Sequence, residues 1–323
     1  MAVPFVPTIY EHGAALIGRT PSDVARSEDL LVEGQQAAYE LYRHPLVSVG
    51  LDVYNVEAEA LGGIVDYPND VSLPALRSPL IQTPADFNAL RVPNPRIDGR
   101  MPLLLNACRR LKAALPAVIS GTVTGPFTLA AILRGFEAFT MDMFDTPDFA
   151  RQQLRFAAEI AFAFAAAYNE LGVSIAINES WIAPPLCTPD LYRAFAQPVE
   201  KDLIARLTSI GVPRVSLVCG GNTTAIAADM LATGTSYIMA DWGCDRRAIR
   251  ALCESRGVML RASIAPGMLE RGSEAELADA VRQVMADCGS YSNLVFGCGI
   301  VSFSTPREHV LLLKQLIGKY SPE

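Results

Sequence analysis

Histidine and clustered basic residues are scarce in this sequence. It has three histidines, His12, His44 and His309, and 27 Lys and Arg against 34 Asp and Glu, for a net charge of −7. The basic residues form no cluster, which excludes nucleic acid as an expected partner. Metal or acid–base chemistry that uses imidazole has only these three side chains available, and none of them stands in a recognisable catalytic setting.

Long apolar runs and export signals are also lacking. The most apolar stretch, Ile160–Tyr168, is far too short to span a bilayer. The opening MAVPFVPTIYEHG has neither the basic start nor the apolar core of a secretory leader. Seven cysteines, an odd number, suggest reduced thiols rather than a disulfide framework. We therefore expect a soluble cytoplasmic protein that does not engage a membrane.

Alternating strand and helix patterns fill most of the chain. Half of the residues are hydrophobic and 19% are charged, which is typical of a large buried core. Each apolar strand is followed by a helix, the pattern of a parallel sheet covered on both faces. The predicted strands are LVSVGLDV (46–53), AVISGTVTG (117–125), SIAINES (174–180), RVSLVCG (214–220), SYIMADW (236–242), VMLRASI (258–264) and NLVFGCG (293–299).

Seven strands of this kind predict a (β/α)₈ barrel of the TIM type. The eighth strand is expected in the irregular region 67–100, or split across a loop. An open doubly wound sheet is the alternative, although no GxGxxG follows any strand. No break in composition marks a second domain. The prediction is one domain over 1–323, with 1–45 as an N-terminal arm and helix packed on the barrel.

Polar side chains stand at the ends of these strands, where a barrel would bring them together. Cys219 and Cys298 each follow a buried strand, and two thiolates with Glu179 as an oxygen ligand would satisfy a catalytic zinc site. The alternative is that each free cysteine is simply a small buried hydrophobe. Glu179 is also a candidate general acid or base, or a partner in a salt bridge. Asp241 is a second catalytic candidate, or a cap of the turn that follows.

Four further residues are candidates for binding a cofactor or substrate: Asn178, Asp52, Gly220 and Asn222. Asp52 could bind a cationic or hydroxylated substrate, or serve as a cap. The turn GGNTT after Cys219 offers backbone N–H groups at a helix start, which suits an anion or ordinary capping. His12 and His309 remain secondary candidates for completing a metal site.

Together these segments resemble the uroporphyrinogen decarboxylase-like superfamily, and most of all its methylcobamide:thiol (coenzyme M) methyltransferase branch. The resemblance rests on YEHGAALIGRTPSDVAR, DVYNVEAEALGG, TGPFTLAA, ESWIAPPLCTPDLYRAFAQP, MADW and the closing GCGI. It implies a barrel with its active site at the carboxyl ends of the strands. The branch binds zinc through a His-x-Cys-Gly motif and a second Cys before the last helix. Cys219, Gly220 and Cys298 match, whereas Leu217 stands in place of the histidine.

The resulting hypothesis is a zinc-dependent methyltransferase. It would move a methyl group between a cobamide, carried by a partner corrinoid protein, and a small thiol or another small methyl donor or acceptor. A metal-independent decarboxylase of a carboxylated, porphyrinogen-like substrate is the first alternative, and a non-catalytic binding member of the family is the second. The sequence leaves the methyl donor and acceptor, the direction of transfer, the third zinc ligand and the oligomeric state open, a homodimer included.

Overall fold

The centre of the molecule is a curled sheet of seven parallel strands. The computed structural model describes residues 2–322. The strands are β1 Thr8–Ile9, β2 Leu46–Val49, β3 Val65–Asp66, β4 Ala75–Leu76, β5 Val118–Thr124, β6 Ser174–Glu179, β7 Val215–Cys219, β8 Tyr237–Ala240, β9 Met259–Ser263, β10 Leu294–Gly297 and β11 Ile300–Val301. In the sheet the order is β10-β9-β8-β7-β6-β5-β2, all pairs being parallel.

The N-terminal segment takes the eighth position of the barrel. Phe5 pairs with Phe296 of β10, and β1 continues the contact by pairing in parallel with β11. The same segment also lies against β2, at the opposite edge of the sheet. The expectation of an eighth strand within 67–100 or split across a loop was therefore wrong. That region holds only the antiparallel strand β4 of the β3–β4 pair, a short helix and loops.

Helices cover the outer face of the sheet, as the alternating pattern predicts. They are α1 Glu11–Leu16, α2 Pro21–Ala25, α3 Glu28–Tyr42, α4 Val56–Ala60, α5 Pro84–Ala89, α6 Met101–Ala114, α7 Pro126–Arg134, α8 Phe136–Asp145, α9 Pro147–Asn169, α10 Pro189–Leu191, α11 Gln197–Ser209, α12 Ala227–Leu231, α13 Arg246–Glu254, α14 Pro266–Arg271, α15 Glu274–Cys288 and α16 Arg307–Tyr320. A π-helical turn, Tyr192–Ala196, joins α10 to α11.

Local chemistry sets several helix ends. The Thr20 and Ser273 hydroxyls each accept a hydrogen bond from the backbone N–H of the third residue of the helix that follows. The carboxylate of that third residue, Asp23 or Glu276, accepts in return from the backbone N–H of the capping residue. One apolar core runs through sheet and helices, and its largest fully buried side chains include Tyr168, Phe127 and Phe164. The (β/α)₈ class is confirmed. No helix within residues 2–322 combines the length and apolar character needed to cross a bilayer.

Candidate functional site

A cavity of about 270 Å³ lies inside the barrel, toward the carboxyl ends of the strands. Alternate side chains of β6, β7 and β8 and of the N-terminal segment form its wall, because successive residues of a strand point to opposite faces. The apolar part includes Val6, Val53, Val218, Met239 and Ile300. The polar part includes Tyr10, Tyr54, Asn178, Ser180, Asp241 and Arg261. A small molecule with both apolar and polar groups suits such a wall.

Asn178, Gly220 and Asp241 are the sequence candidates that line this cavity. Asp241 directly follows β8, and backbone amides hold its carboxylate. Its Oδ2 accepts from the Gly221 N–H at 2.9 Å, and its Oδ1 accepts from the Trp242 N–H at 2.9 Å. These bonds leave lone pairs on both oxygens. Asp241 can therefore accept a proton from a ligand without losing its position.

Glu179 faces away from the cavity, because its neighbour in β6, Asn178, faces in. Its carboxylate sits at the start of α7, where Oε1 accepts from the Phe127 N–H at 2.9 Å. Oε2 accepts from the Thr128 N–H at 2.8 Å and from the Thr128 hydroxyl at 2.5 Å. Burial raises the pKa of Glu179 to about 7, against the lowering effect of these bonds. This geometry gives Glu179 the role of an acceptor for the first N–H groups of α7.

Cys219 and Cys298 are both fully buried, and neither lines the cavity. Cys219 lies beside Glu179 in register, on the face of β7 opposite the cavity. Burial, and then the carboxylates of Glu179 and Glu200, raise the pKa of the Cys219 thiol well above its usual range. Burial also raises the pKa of Cys298, to about 12, and the positive charge of Arg261 opposes that rise. The two thiols therefore sit in different electrostatic surroundings.

A zinc site made of Cys219, Cys298 and Glu179 does not fit this arrangement. Within residues 2–322, no three His, Cys, Asp or Glu side chains are grouped so that they could hold a metal ion. Both Glu179 oxygens already accept hydrogen bonds. Leu217 is buried in β7 and offers no ligand atom. His12 contacts the Tyr42 hydroxyl through Nε2, at 2.8 Å, and the Ser302 carbonyl through Nδ1, at 3.3 Å.

Asp52 lies outside the cavity wall and is held in a buried ion pair. Its two oxygens accept from Nη1 and Nη2 of Arg100, both at 2.8 Å, and Arg100 also pairs with Glu59. Burial raises the pKa of Asp52 and Arg100 opposes the rise. This pairing occupies the carboxylate that the sequence offered to a substrate.

Asn222 and the GGNTT turn do not form the expected helix-start site. The Asn222 Oδ1 accepts from the Thr224 N–H at 3.1 Å, and Asn222 itself is exposed. The turn leads into a 3₁₀ turn, Thr224–Ile226, and then the five residues of α12. So short a helix adds little field at its start.

Arg261, Tyr10 and Tyr54 were not among the site residues predicted from the sequence. Arg261 lies in the middle of β9 and is 5% exposed. An arginine inside an otherwise apolar parallel strand is unusual, and that was the available signal. Tyr10 enters the wall because the N-terminal segment joins the barrel. Tyr54 reaches it from the loop after β2, where its hydroxyl hydrogen-bonds with Ser180.

Comparison with known proteins agrees with this fold. The family described as uroporphyrinogen decarboxylase (URO-D) matches residues 2–320. A uroporphyrinogen decarboxylase of Thermus thermophilus is 24% identical over 298 residues, which cover 89% of this chain and 85% of that protein. The methylcobamide:CoM methyltransferase MtaA of Methanosarcina barkeri is 30% identical over 155 residues, 47% of this chain and 44% of MtaA.

A solved structure with the same fold is a methyltransferase from Methanosarcina mazei. It superimposes with a TM-score of 0.87 and 22% identity, over 99% of this chain and 94% of that one. The family match spans nearly all of the described residues, and it confirms the resemblance that the sequence motifs indicated. The chain belongs to the uroporphyrinogen decarboxylase family.

Proposed function

We propose that this chain is a methyltransferase that works on a small ligand bound in the barrel cavity. The methyl group passes between that ligand, a thiol in the simplest case, and a cobamide presented by a partner corrinoid protein. The similarity to MtaA, 30% identical over 155 residues, supports this chemistry.

The size of the cavity is the observation that carries the proposal. The cavity of about 270 Å³ lies just below the usual range for drug-sized ligands, about 300–1,000 Å³. A small thiol fits, and the cobamide stays outside with its carrier protein.

Asp241 is the proposed general base. It is the one carboxylate in the described wall of the cavity, and two backbone amides fix its position. When a thiol is methylated, its proton passes to Asp241 and a sulfur–carbon bond forms. The cobalt–carbon bond breaks and leaves its electron pair on the cobalt. The apolar side chains around the reacting sulfur exclude water that would otherwise solvate the thiolate.

Zinc has no step in this proposal, because the side chains expected to bind it do not assemble into a site within the described residues. The zinc of the sequence hypothesis stays a prediction.

Decarboxylation of a carboxylated, porphyrinogen-like substrate is the second candidate. The uroporphyrinogen decarboxylase of Thermus thermophilus matches a larger share of this chain than MtaA does, 89% against 47%. Arg261 in the cavity wall could bind a substrate carboxylate.

One experiment separates the two candidates. The purified chain is incubated with methylcobalamin and 2-mercaptoethanesulfonate or mercaptoacetate, and demethylation of the cobalamin is followed by its absorbance. A parallel reaction contains uroporphyrinogen, with products separated by chromatography. The proposal expects methylated thiol in the first reaction and unchanged uroporphyrinogen in the second. Coproporphyrinogen without methyl transfer would overturn it.

A further inference from the structure

Arg261 is a buried guanidinium without a carboxylate partner in the described part of the chain. Other largely buried arginines are paired: Arg100 with Asp52 at 2.8 Å, Arg134 with Asp142 at 2.8 Å and Arg246 with Asp287 at 3.0 Å. Arg261 donates from Nη2 to the Gly299 carbonyl at 3.3 Å, and its Nε has no partner. Its side chain lines the cavity.

An unpaired buried charge of this kind is costly. An arginine side chain stays protonated in proteins, so its burial cannot be relieved by loss of the charge. A buried ion left without a partner destabilises a protein strongly. A bound anion would supply the missing charge, and the cavity beside Arg261 has room for one.

Two other polar groups converge on the same place. Asn178 lies opposite Val218 and Met239 lies opposite Arg261, and all four residues line the same cavity. Asn178 is 7% exposed and its Nδ2 has no partner. Burial raises the pKa of the Tyr10 phenol, whereas Arg261 and Asn178 oppose that rise, which places Tyr10 beside both.

Gly297 makes room for the guanidinium. It lies opposite Ser263 in β9, and a Cβ atom at residue 297 would overlap the Arg261 Nε and the Ser263 Oγ. The neighbouring strand is thus shaped around an arginine that donates to a backbone carbonyl and lies beside the Tyr237 phenol, with no carboxylate paired to it in the described residues.

A carboxylate and a guanidinium share the carboxyl-end part of the cavity wall. Asp241 directly follows β8, and the Arg261 guanidinium extends toward the same end, where it donates to the carbonyl of Gly299 beyond β10. One cationic and one anionic side chain in this wall favour a ligand that carries one negative group. A second negative charge near the mouth would be repelled by Asp241.

We propose that Arg261, Asn178 and Tyr10 form an anion subsite that binds the carboxylate or sulfonate of a small monoanionic substrate. The identity of the reactive end rests on the proposed function. The binding of the anionic end does not.

Calorimetric titration tests the subsite without any turnover. The probes are propane-1-sulfonate and butyrate, with butyramide as the neutral match of butyrate. The expected result is saturable binding of both anions to the wild-type chain and none of butyramide. Arg261→Met should weaken anion binding by about 30-fold or more, since loss of a buried charged partner costs about 2 kcal/mol or more and about 1.4 kcal/mol is tenfold.

Arg214→Met is the matched control. Arg214 also lacks a carboxylate partner within about 4 Å in the described residues, the usual limit for an ion pair, but it precedes β7 at the opposite end of the barrel. This variant should bind the anions like the wild type. Arg261→Met should also unfold at no lower temperature than the unliganded wild type, because it removes an unpaired charge. If Arg261→Met fails to fold, Asn178→Asp replaces it, and the added negative charge should abolish anion binding.

Anion affinity unchanged in Arg261→Met, or equal affinity for butyramide and butyrate, would overturn the subsite. The outcomes also separate the two proposals. Anion binding through Arg261 without methyl transfer would sustain the subsite and refute the proposed function. Methyl transfer with equal efficiency to neutral and anionic thiols would sustain the function and refute the subsite.

Discussion

Replacing Glu179 distinguishes a structural carboxylate from a catalytic one. Glu179→Ala removes the acceptor of the Phe127 N–H, the Thr128 N–H and the Thr128 hydroxyl at the start of α7. Each buried donor left without a partner costs about 1–3 kcal/mol. After allowance for the relief of burying a carboxyl group, we expect a loss on the order of 4 kcal/mol. That is a large part of the roughly 5–15 kcal/mol by which a protein is stable.

Glu179→Gln should destabilise the protein less than Glu179→Ala does. The amide keeps one acceptor oxygen, but its NH₂ group meets one of the donors of α7. We therefore expect it to cost about 1–3 kcal/mol. Glu274→Ala, an exposed acid in the first turn of α15, is the matched control and should change stability by no more than about 0.5 kcal/mol.

Urea unfolding followed by circular dichroism measures these differences. With a slope of about 3 kcal/mol per molar urea, Glu179→Ala should lower the midpoint by more than about 1 M. A Glu179→Ala protein with the wild-type midpoint and abolished turnover would refute the structural role. Glu179 would then be the catalytic or metal-binding residue that the sequence suggested.

Three further predictions follow from the buried charges and the thiols. Burial raises the pKa of Glu57 to about 7, so the stability that its protonated form contributes is fully present below about pH 4.5 and is lost as the pH rises through 7; Glu57→Gln should reduce the difference between the unfolding free energies at about pH 5 and about pH 8 by an amount on the order of 3 kcal/mol. Asp52→Asn removes one buried partner of Arg100 and should lower the free energy of unfolding by about 3 kcal/mol, measured by thermal denaturation. An unchanged melting temperature together with a raised KM would instead show that Asp52 binds the substrate. From the described geometry, elemental analysis should find well under one zinc per chain, and stoichiometric zinc that disappears in Cys219→Ser would contradict that geometry.

The barrel was predictable because its signal is local and repeated. Every strand from Ser174 onward is an apolar run followed by a helix, and that pattern needs no knowledge of distant contacts. The N-terminal segment was not predictable in the same way. Its place depends on the pairing of Phe5 with Phe296, two residues that lie near opposite ends of the sequence. The strand β1 has only two residues, too few to show an alternating hydrophobic pattern.

The strand ends were predictable as a location but not as a set of facing side chains. Asn178 and Glu179 are neighbours in β6, so a shift of the strand by one residue would exchange which of them faces the cavity. In a strand buried on both faces the sequence is apolar on either side, so no alternation reveals which face is inside. The same ambiguity separates Val218, in the wall, from Cys219, behind it. Arg261 was the informative exception, because it is a charged residue in a strand, β9, that is otherwise mostly apolar and buried on both faces.

The most direct test of the central claim, that a small ligand reacts inside the barrel, blocks the cavity without touching its principal polar groups. Ser216 lines the cavity from β7 and is 8% exposed. Ser216→Phe should keep the circular dichroism of the wild type and lose demethylation of methylcobalamin by 2-mercaptoethanesulfonate. Wild-type demethylation by a folded Ser216→Phe protein would show that the reaction takes place elsewhere, and would contradict the account.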